Sequence, residues 1–134
     1  IIMWDVIEHL QRPRFVLKSC ARGLAPGGVL FLTTGDIDSF LARIMGRRWR
    51  LVNPPQHIVY FSKRTLTSLL HECGFDVQEV CYPSRRVTLR FILFILQYMC
   101  GHLPSRILPR MNWLMRRSIR LNLFDVMLIV AVRR

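Results

Sequence analysis

The tetrapeptide Ala25-Pro26-Gly27-Gly28 separates two segments of opposite periodicity, and this constrains the chain more than any other feature. Upstream, Pro13 suits the first turn of a helix. Val16, Leu17, Cys20, Ala21 and Leu24 then recur at the spacing that puts them on one face, which predicts a helix from Pro13 to Gly23. Downstream, Val29-Leu30-Phe31-Leu32-Thr33-Thr34 is a continuous β-prone run, the pattern of a strand buried on both faces. The first residues, Ile1-Ile2-Met3-Trp4, are also apolar and run into Asp5-Val6-Ile7-Glu8-His9 like a strand leaving its sheet. A helical crossover makes these two strands parallel neighbours. The opening resembles neither a signal peptide nor a natural start, and a strand cut from a larger sheet is the expectation.

The same reading continues along the chain. Asp38 or Ser39 can cap a short helix that Gly46 ends, and the basic run Arg47-Arg48-Trp49-Arg50 follows. Asn53-Pro54-Pro55-Gln56-His57 is a loop, because each proline restricts its predecessor and removes a donor. Ser62 caps a helix with Leu66, Leu69, Leu70 and Cys73 on one face, Gly74 ends it, and Phe75–Tyr82 is the next strand. Helices are predicted over Val87–Cys100 and Ser105–Ile119, too short in apolar length to cross a bilayer, and Val126–Val132 closes the chain as a buried strand. Phe31, Leu32, Val77, Met127, Ile129 and Val130 are the expected sheet core, with helices on both sides.

The formal net charge of +12 is unevenly placed: residues 1–38 carry four basic against four acidic side chains, and all of the surplus lies beyond them. Between Arg85 and Arg120 there are eight arginines and no acid, so an anionic surface is the partner to look for there. The basic residues are not interleaved with a stacking platform of aromatics, and no nucleic-acid partner is expected. The four cysteines have neither zinc-site spacing nor the density of a disulfide scaffold; reduced thiols and a cytoplasmic location follow, and no metal ligands are assigned.

Particular residues carry a family resemblance. Trp4-Asp5-Val6-Ile7-Glu8-His9-Leu10 resembles the segment leaving the fourth strand in class I S-adenosylmethionine-dependent methyltransferases of the ubiquinone-biosynthesis-like branch. Leu24-Ala25-Pro26-Gly27-Gly28 is similar to the Leu-Lys-Pro-Gly-Gly turn of that branch, with Ala25 in place of Lys. Ala42-Arg43 through Gly46 and Trp49, then His57 with Tyr60-Phe61-Ser62, then Thr65-Leu66 to Gly74-Phe75 agree in order, and Asp125-Val126-Met127 resembles the family's antiparallel last strand. Thr34-Gly35-Asp36 departs from the commoner Thr-Pro-Asn type.

The resemblance implies an α/β fold: the C-terminal half of a Rossmann-like methyltransferase sheet, with a helical insertion over residues 83–121 before the last strand. In that reading residues 1–134 are a partial methyltransferase domain, and the glycine-rich, cofactor-binding N-terminal half lies upstream of Ile1. The implied activity is methyl transfer from S-adenosylmethionine to a small or lipid-linked acceptor, carried out by the intact parent and not by the fragment.

Methyl transfer is an in-line displacement in which positioning supplies much of the rate. Ligands of open α/β sheets sit at the carboxyl ends of strands, which makes Trp4 and Asp5 cofactor neighbours, although Asp5 could equally cap the turn. Glu8 and His9, just beyond, are candidates for acceptor contact and proton transfer. Trp49, His57 and Tyr60 are candidates for lining the acceptor pocket, with His57 bonded to a loop carbonyl and Trp49 and Tyr60 as anchors of the loop as the plainer alternatives. The Arg-rich segment is expected as a helical excursion over the acceptor side that contacts an anionic membrane, and a membrane-surface module is the alternative function.

Overall fold

The computed structural model describes residues 1–100 and 117–134, which form two compact units, Ile1–Pro83 with Phe124–Arg134, and Ser84–Leu123. In the first unit β1 (Ile2–Trp4) leads through a 3-10 turn at Ile7–His9 into α1 (Pro13–Gly23) and β2 (Val29–Gly35). Pro13 opens α1 as expected, and the helix closes with the Leu24 N–H donating to the Cys20 carbonyl. Then come α2 (Phe40–Met45), a 3-10 turn at Gly46–Arg48, α3 (Lys63–Glu72) and β3 (Phe75–Cys81). Ser39 caps α2, its hydroxyl accepting from the Ala42 N–H, and Ser62 and Thr65 cap α3 reciprocally.

In the second unit β4 (Arg85–Thr88) precedes α4 (Leu89–Cys100), and β5 (Ser118–Leu121) pairs antiparallel with β4. The helix predicted from Val87 therefore begins two residues later, because β-branched Val87 and Thr88 pair with Ile119 and Ser118. Most of the predicted Ser105–Ile119 helix lies outside the described residues, and its last two positions are strand. No described helix is long and apolar enough to cross a membrane.

The chain returns to the first unit with β6 (Val126–Arg133). Its sheet has the order β1-β2-β6-β3, in which β1 and β2 are parallel and β6 runs antiparallel between β2 and β3. The predicted partners Leu30–Thr34 and Val126–Val132 are thus neighbours, and the last strand is antiparallel as expected.

Alternation along the strands divides the sheet into two faces. Met3, Leu30, Leu32, Met127, Ile129 and Ala131 pack with Leu17 and Ala21 of α1 and Leu66 and Leu70 of α3 in one core. Arg14 pairs with Glu72 and ties the outer ends of those helices. On the other face Ile2, Phe31 and Val130 are aligned in register, and Ile2, Trp4 and Phe31 are 72%, 59% and 42% exposed. The expectation that Phe31 lies in the core is corrected by its exposure; α1 and α3 serve one face, while Thr33 and Gly35, on the Phe31 side further along β2, are covered, Gly35 by Trp49 and Leu51. Leu32, Met127 and Ile129 are buried as expected, while Val77 and Val130 are half-buried.

Candidate functional site at the strand ends

β1 ends at Trp4 opposite Thr33, and the parallel strand β2 runs on from there to Gly35. Beyond β1 the chain turns sharply at Asp5, whose φ of 51° lies in the left-handed region that Asp tolerates better than most residues. Thr33 secures this turn. Its hydroxyl accepts from the Asp5 N–H at 2.9 Å and donates to Asp5 Oδ1 at 2.9 Å. The next hydroxyl does the same for the second acid: Thr34 Oγ1 donates to Glu8 Oε2 at 3.0 Å, and Glu8 is only 5% exposed.

The 3-10 turn also anchors the proline-rich loop. The Ile58 and Val59 N–H groups both donate to the Glu8 carbonyl, at 3.0 and 3.2 Å. His9 Nδ1 donates to the Gln56 carbonyl at 2.7 Å, and His57 Nδ1 donates to the Leu51 carbonyl at 2.7 Å. The two imidazoles meet edge to face with ring centres 4.7 Å apart. Glu8, Thr34, Gly35, Trp49, Leu51, His57, Val59, Tyr60 and Phe61 line a hollow of about 200 Å³, its mouth included. This is smaller than the roughly 300–1,000 Å³ of ligand pockets in general.

Of the residues singled out in the sequence, Glu8, His9 and His57 are brought together, and Trp49 and Tyr60 share the lining of the hollow. Trp4 and Asp5 stand outside that lining, Trp4 on the open face of the sheet. Trp49 is almost fully buried, and its Nε1 donates to Asp125 Oδ2 at 3.2 Å; Arg50 pairs with the same carboxylate at 3.1 Å. His57 makes the loop-carbonyl bond named as its plainer alternative.

Thr33 and Thr34 were legible as the ligand-side end of the second strand, but not as the residues that hold both acids. Asp125 and Tyr82 were not legible as contributors. Asp125 is the hub for Trp49 and Arg50, and its carbonyl accepts the Asp36 N–H. Tyr82 donates to Asp36 Oδ2 at 2.7 Å, and burial, helped by that carboxylate, pushes its phenol up to about 12. Burial also raises the Cys20 and Cys73 thiols, and Cys20, Cys73 and Cys81 are free. A raised thiol is the opposite of an activated one, so neither Cys20 nor Cys73 reads as a nucleophile.

A parallel pair of strands, an antiparallel last strand inserted beside them, and polar groups gathered at the carboxyl edge define the class: this is the Rossmann-like fold of class I S-adenosylmethionine-dependent methyltransferases. The sequence pattern of the family described as "Methyltransferase domain" matches residues 1–80, and the chain belongs to that family. Among curated proteins none matches. Solved structures share the fold. An S-adenosylmethionine-dependent methyltransferase of Thermotoga maritima superposes with a TM-score of 0.57 at 18% identity, over 99% of this chain and 55% of its own. One from Archaeoglobus fulgidus gives 0.55 at 15% identity, over 98% of this chain and 57% of its own. The chain thus spans little more than half the length of these structures.

Proposed function

We propose that these residues form the acceptor-side half of a methyltransferase that moves the methyl group of S-adenosylmethionine to a small or lipid-linked acceptor. The observation that carries the reading is the placement of Asp5 and Glu8, each fixed by a buried threonine, at the carboxyl edge of a parallel strand pair where ligands of such sheets bind. Trp4 and Asp5 fit the cofactor chemically, offering an exposed indole and a carboxylate to a sulfonium. When bound, S-adenosylmethionine supplies a methyl group made electrophilic by its positive sulfur. Glu8 and His9 then contact the acceptor and accept a proton where the acceptor must lose one, and Trp49, His57 and Tyr60 shape its pocket.

On this reading the turn that grips the methionine end of the cofactor and the acid that holds its ribose belong to sequence upstream of Ile1. Residues 1–134 alone then supply one wall, bind S-adenosylmethionine without measurable affinity and transfer no methyl group. Calorimetry on this chain and on one extended upstream tests it. Micromolar binding by residues 1–134 alone, or none by the longer chain, would refute the assignment.

A second reading rests on the Ser84–Leu123 unit. Arg86 and Arg120 face each other directly across the β4–β5 pair, an arrangement that like charges disfavour unless an anion neutralises them. The unit contains no acid, and Phe94, Leu96 and Ile119 are exposed on it. These features support peripheral contact with an anionic lipid surface. In vesicle co-sedimentation, anionic lipid should retain the chain more than neutral lipid, and Arg86→Ser with Arg120→Ser should reduce the difference. Equal retention on both lipids would remove this reading.

A further inference from the structure

We infer that Glu8, His9 and His57 form a binding site for one divalent transition ion of the zinc class. One potential ligand atom from each of the three lies within 4.8 Å of the other two. Their surroundings suit ligation. A carbonyl oxygen only accepts, so the bonds to Gln56 and Leu51 place the proton of each neutral imidazole on Nδ1 and leave the Nε2 lone pairs available. Histidines that hold metals are oriented by such a bond from the opposite nitrogen. Thr34 orients the Glu8 carboxylate through Oε2 and leaves its second oxygen for a cation.

Among the described residues, no hydrogen bond or ion pair joins Glu8, His9 and His57 to one another. Each is held from behind by a different group: the Thr34 hydroxyl, the Gln56 carbonyl and the Leu51 carbonyl. The set is therefore arranged around a common point without being self-satisfied. A shared ion about 2.1 Å from each ligand brings ligand atoms to roughly 3.0–3.5 Å of one another, so a pair at the 4.8 Å limit closes by roughly 1.3–1.8 Å. His9 is exposed and His57 sits at the end of the proline loop, so both have room for that adjustment.

The donor set selects the ion. Two imidazoles and one carboxylate suit zinc, cobalt or iron, whereas magnesium and calcium prefer oxygen alone. One carboxylate against a divalent charge leaves the centre at +1, and three protein ligands leave coordination positions open. An acceptor with an oxygen donor, a hydroxyl or a carboxylate, is the chemical class such a centre would take. The inference rests on this geometry: an ion here occupies the Glu8 oxygen and the His9 nitrogen that the methyl-transfer reading gives to proton transfer, so with the ion bound these residues act on the acceptor as ligands and not as bases.

Cobalt(II) is the probe, because its visible bands report coordination directly and need no catalytic assay. Residues 1–134, freed of metal with a chelator, should take up one equivalent of cobalt with d–d bands that zinc abolishes and millimolar magnesium does not. His9→Ala, His57→Ala and Glu8→Gln should each weaken cobalt binding at least tenfold. His71→Ala, which removes an exposed imidazole paired with Asp76, should leave it unchanged. Far-UV circular dichroism checks that each variant is folded, and the exposed position of His9 makes its variant the least disruptive. Three results would each overturn the inference: no bands with the unmodified chain, thiolate-to-cobalt charge-transfer bands in place of imidazole-type ones, or affinity unchanged in folded His9→Ala and His57→Ala.

Discussion

Replacing Gly35 by alanine tests how tightly the end of β2 is packed. A Cβ there would lie 2.6 Å from Leu51 Cδ1 and 2.8 Å from Trp49 Cη2, where carbon atoms normally approach to about 3.5–4.0 Å. Roughly an ångström must be recovered on two sides. Leu51 is half-buried and can rotate, but Trp49 is 2% exposed and its Nε1 is bonded to Asp125, so it cannot retreat without losing that bond. Overpacking of this kind costs about 1–3 kcal/mol, against which alanine recovers about 0.4–1 kcal/mol by restricting the unfolded chain. The net loss should be about 1–2 kcal/mol, or roughly 3–10 °C in Tm for a chain of this size. Urea unfolding followed by far-UV circular dichroism measures it. In a Leu51→Ala background the closest obstacle is gone, so the cost of Gly35→Ala should fall by at least about 0.5 kcal/mol. A neutral Gly35→Ala, or strict additivity with Leu51→Ala, would refute the contact.

Leu66→Ala empties a fully buried position between α3 and the sheet and should cost about 2–5 kcal/mol in the same assay. Tyr82→Phe addresses pH: the folded phenol titrates near 12, above its ordinary value of about 10, so its contribution is whole below pH 10 and lost as pH rises towards 12. The stability advantage of the unmodified chain over Tyr82→Phe should therefore shrink between pH 10 and 12, measured as urea midpoints; a constant gap would show that burial and the Asp36 carboxylate do not raise the phenol on folding.

The strand that anchors this architecture was readable because β2 announces itself twice, by the proline-glycine break before it and by its unbroken apolar run. That same run misled at Phe31, since continuous apolarity says that a strand is apolar on both faces but not that both faces are covered. At Val87 the ambiguity was between periods: a short apolar segment after Arg85-Arg86 fits helix or strand, and only its pairing with Ser118–Leu121 decides for strand. Glu8 and His9 were read as site candidates because they follow the end of a strand closely, and His57 because its proline-rich loop could reach the same mouth. What was not readable is the contact that brings the loop there, Ile58 and Val59 N–H groups bonding to the Glu8 carbonyl, which leaves no trace in side-chain pattern.

The paired threonines give the site a division of labour that can be tested on this chain. Successive residues of a strand point to opposite faces, so Thr33 and Thr34 hold Asp5 and Glu8 on opposite sides of one strand end. The two carboxylates are therefore separate sites a short distance apart. Thr34→Val keeps the shape but deprives the buried Glu8 carboxylate of its donor. It should cost about 1.5–3 kcal/mol of stability and, through a less fixed carboxylate, at least tenfold in cobalt affinity. Thr33→Val removes the equivalent bond from Asp5, which is exposed and can turn to water. The carboxylate loses little, the left-handed turn at Asp5 loosens, and cobalt binding stays as it was. Urea unfolding and cobalt titration on the two variants separate these effects. Equal loss of cobalt affinity in both would mean that Asp5 and Glu8 act as one acidic cluster, and the assignment of one to the cofactor and the other to the acceptor would fall.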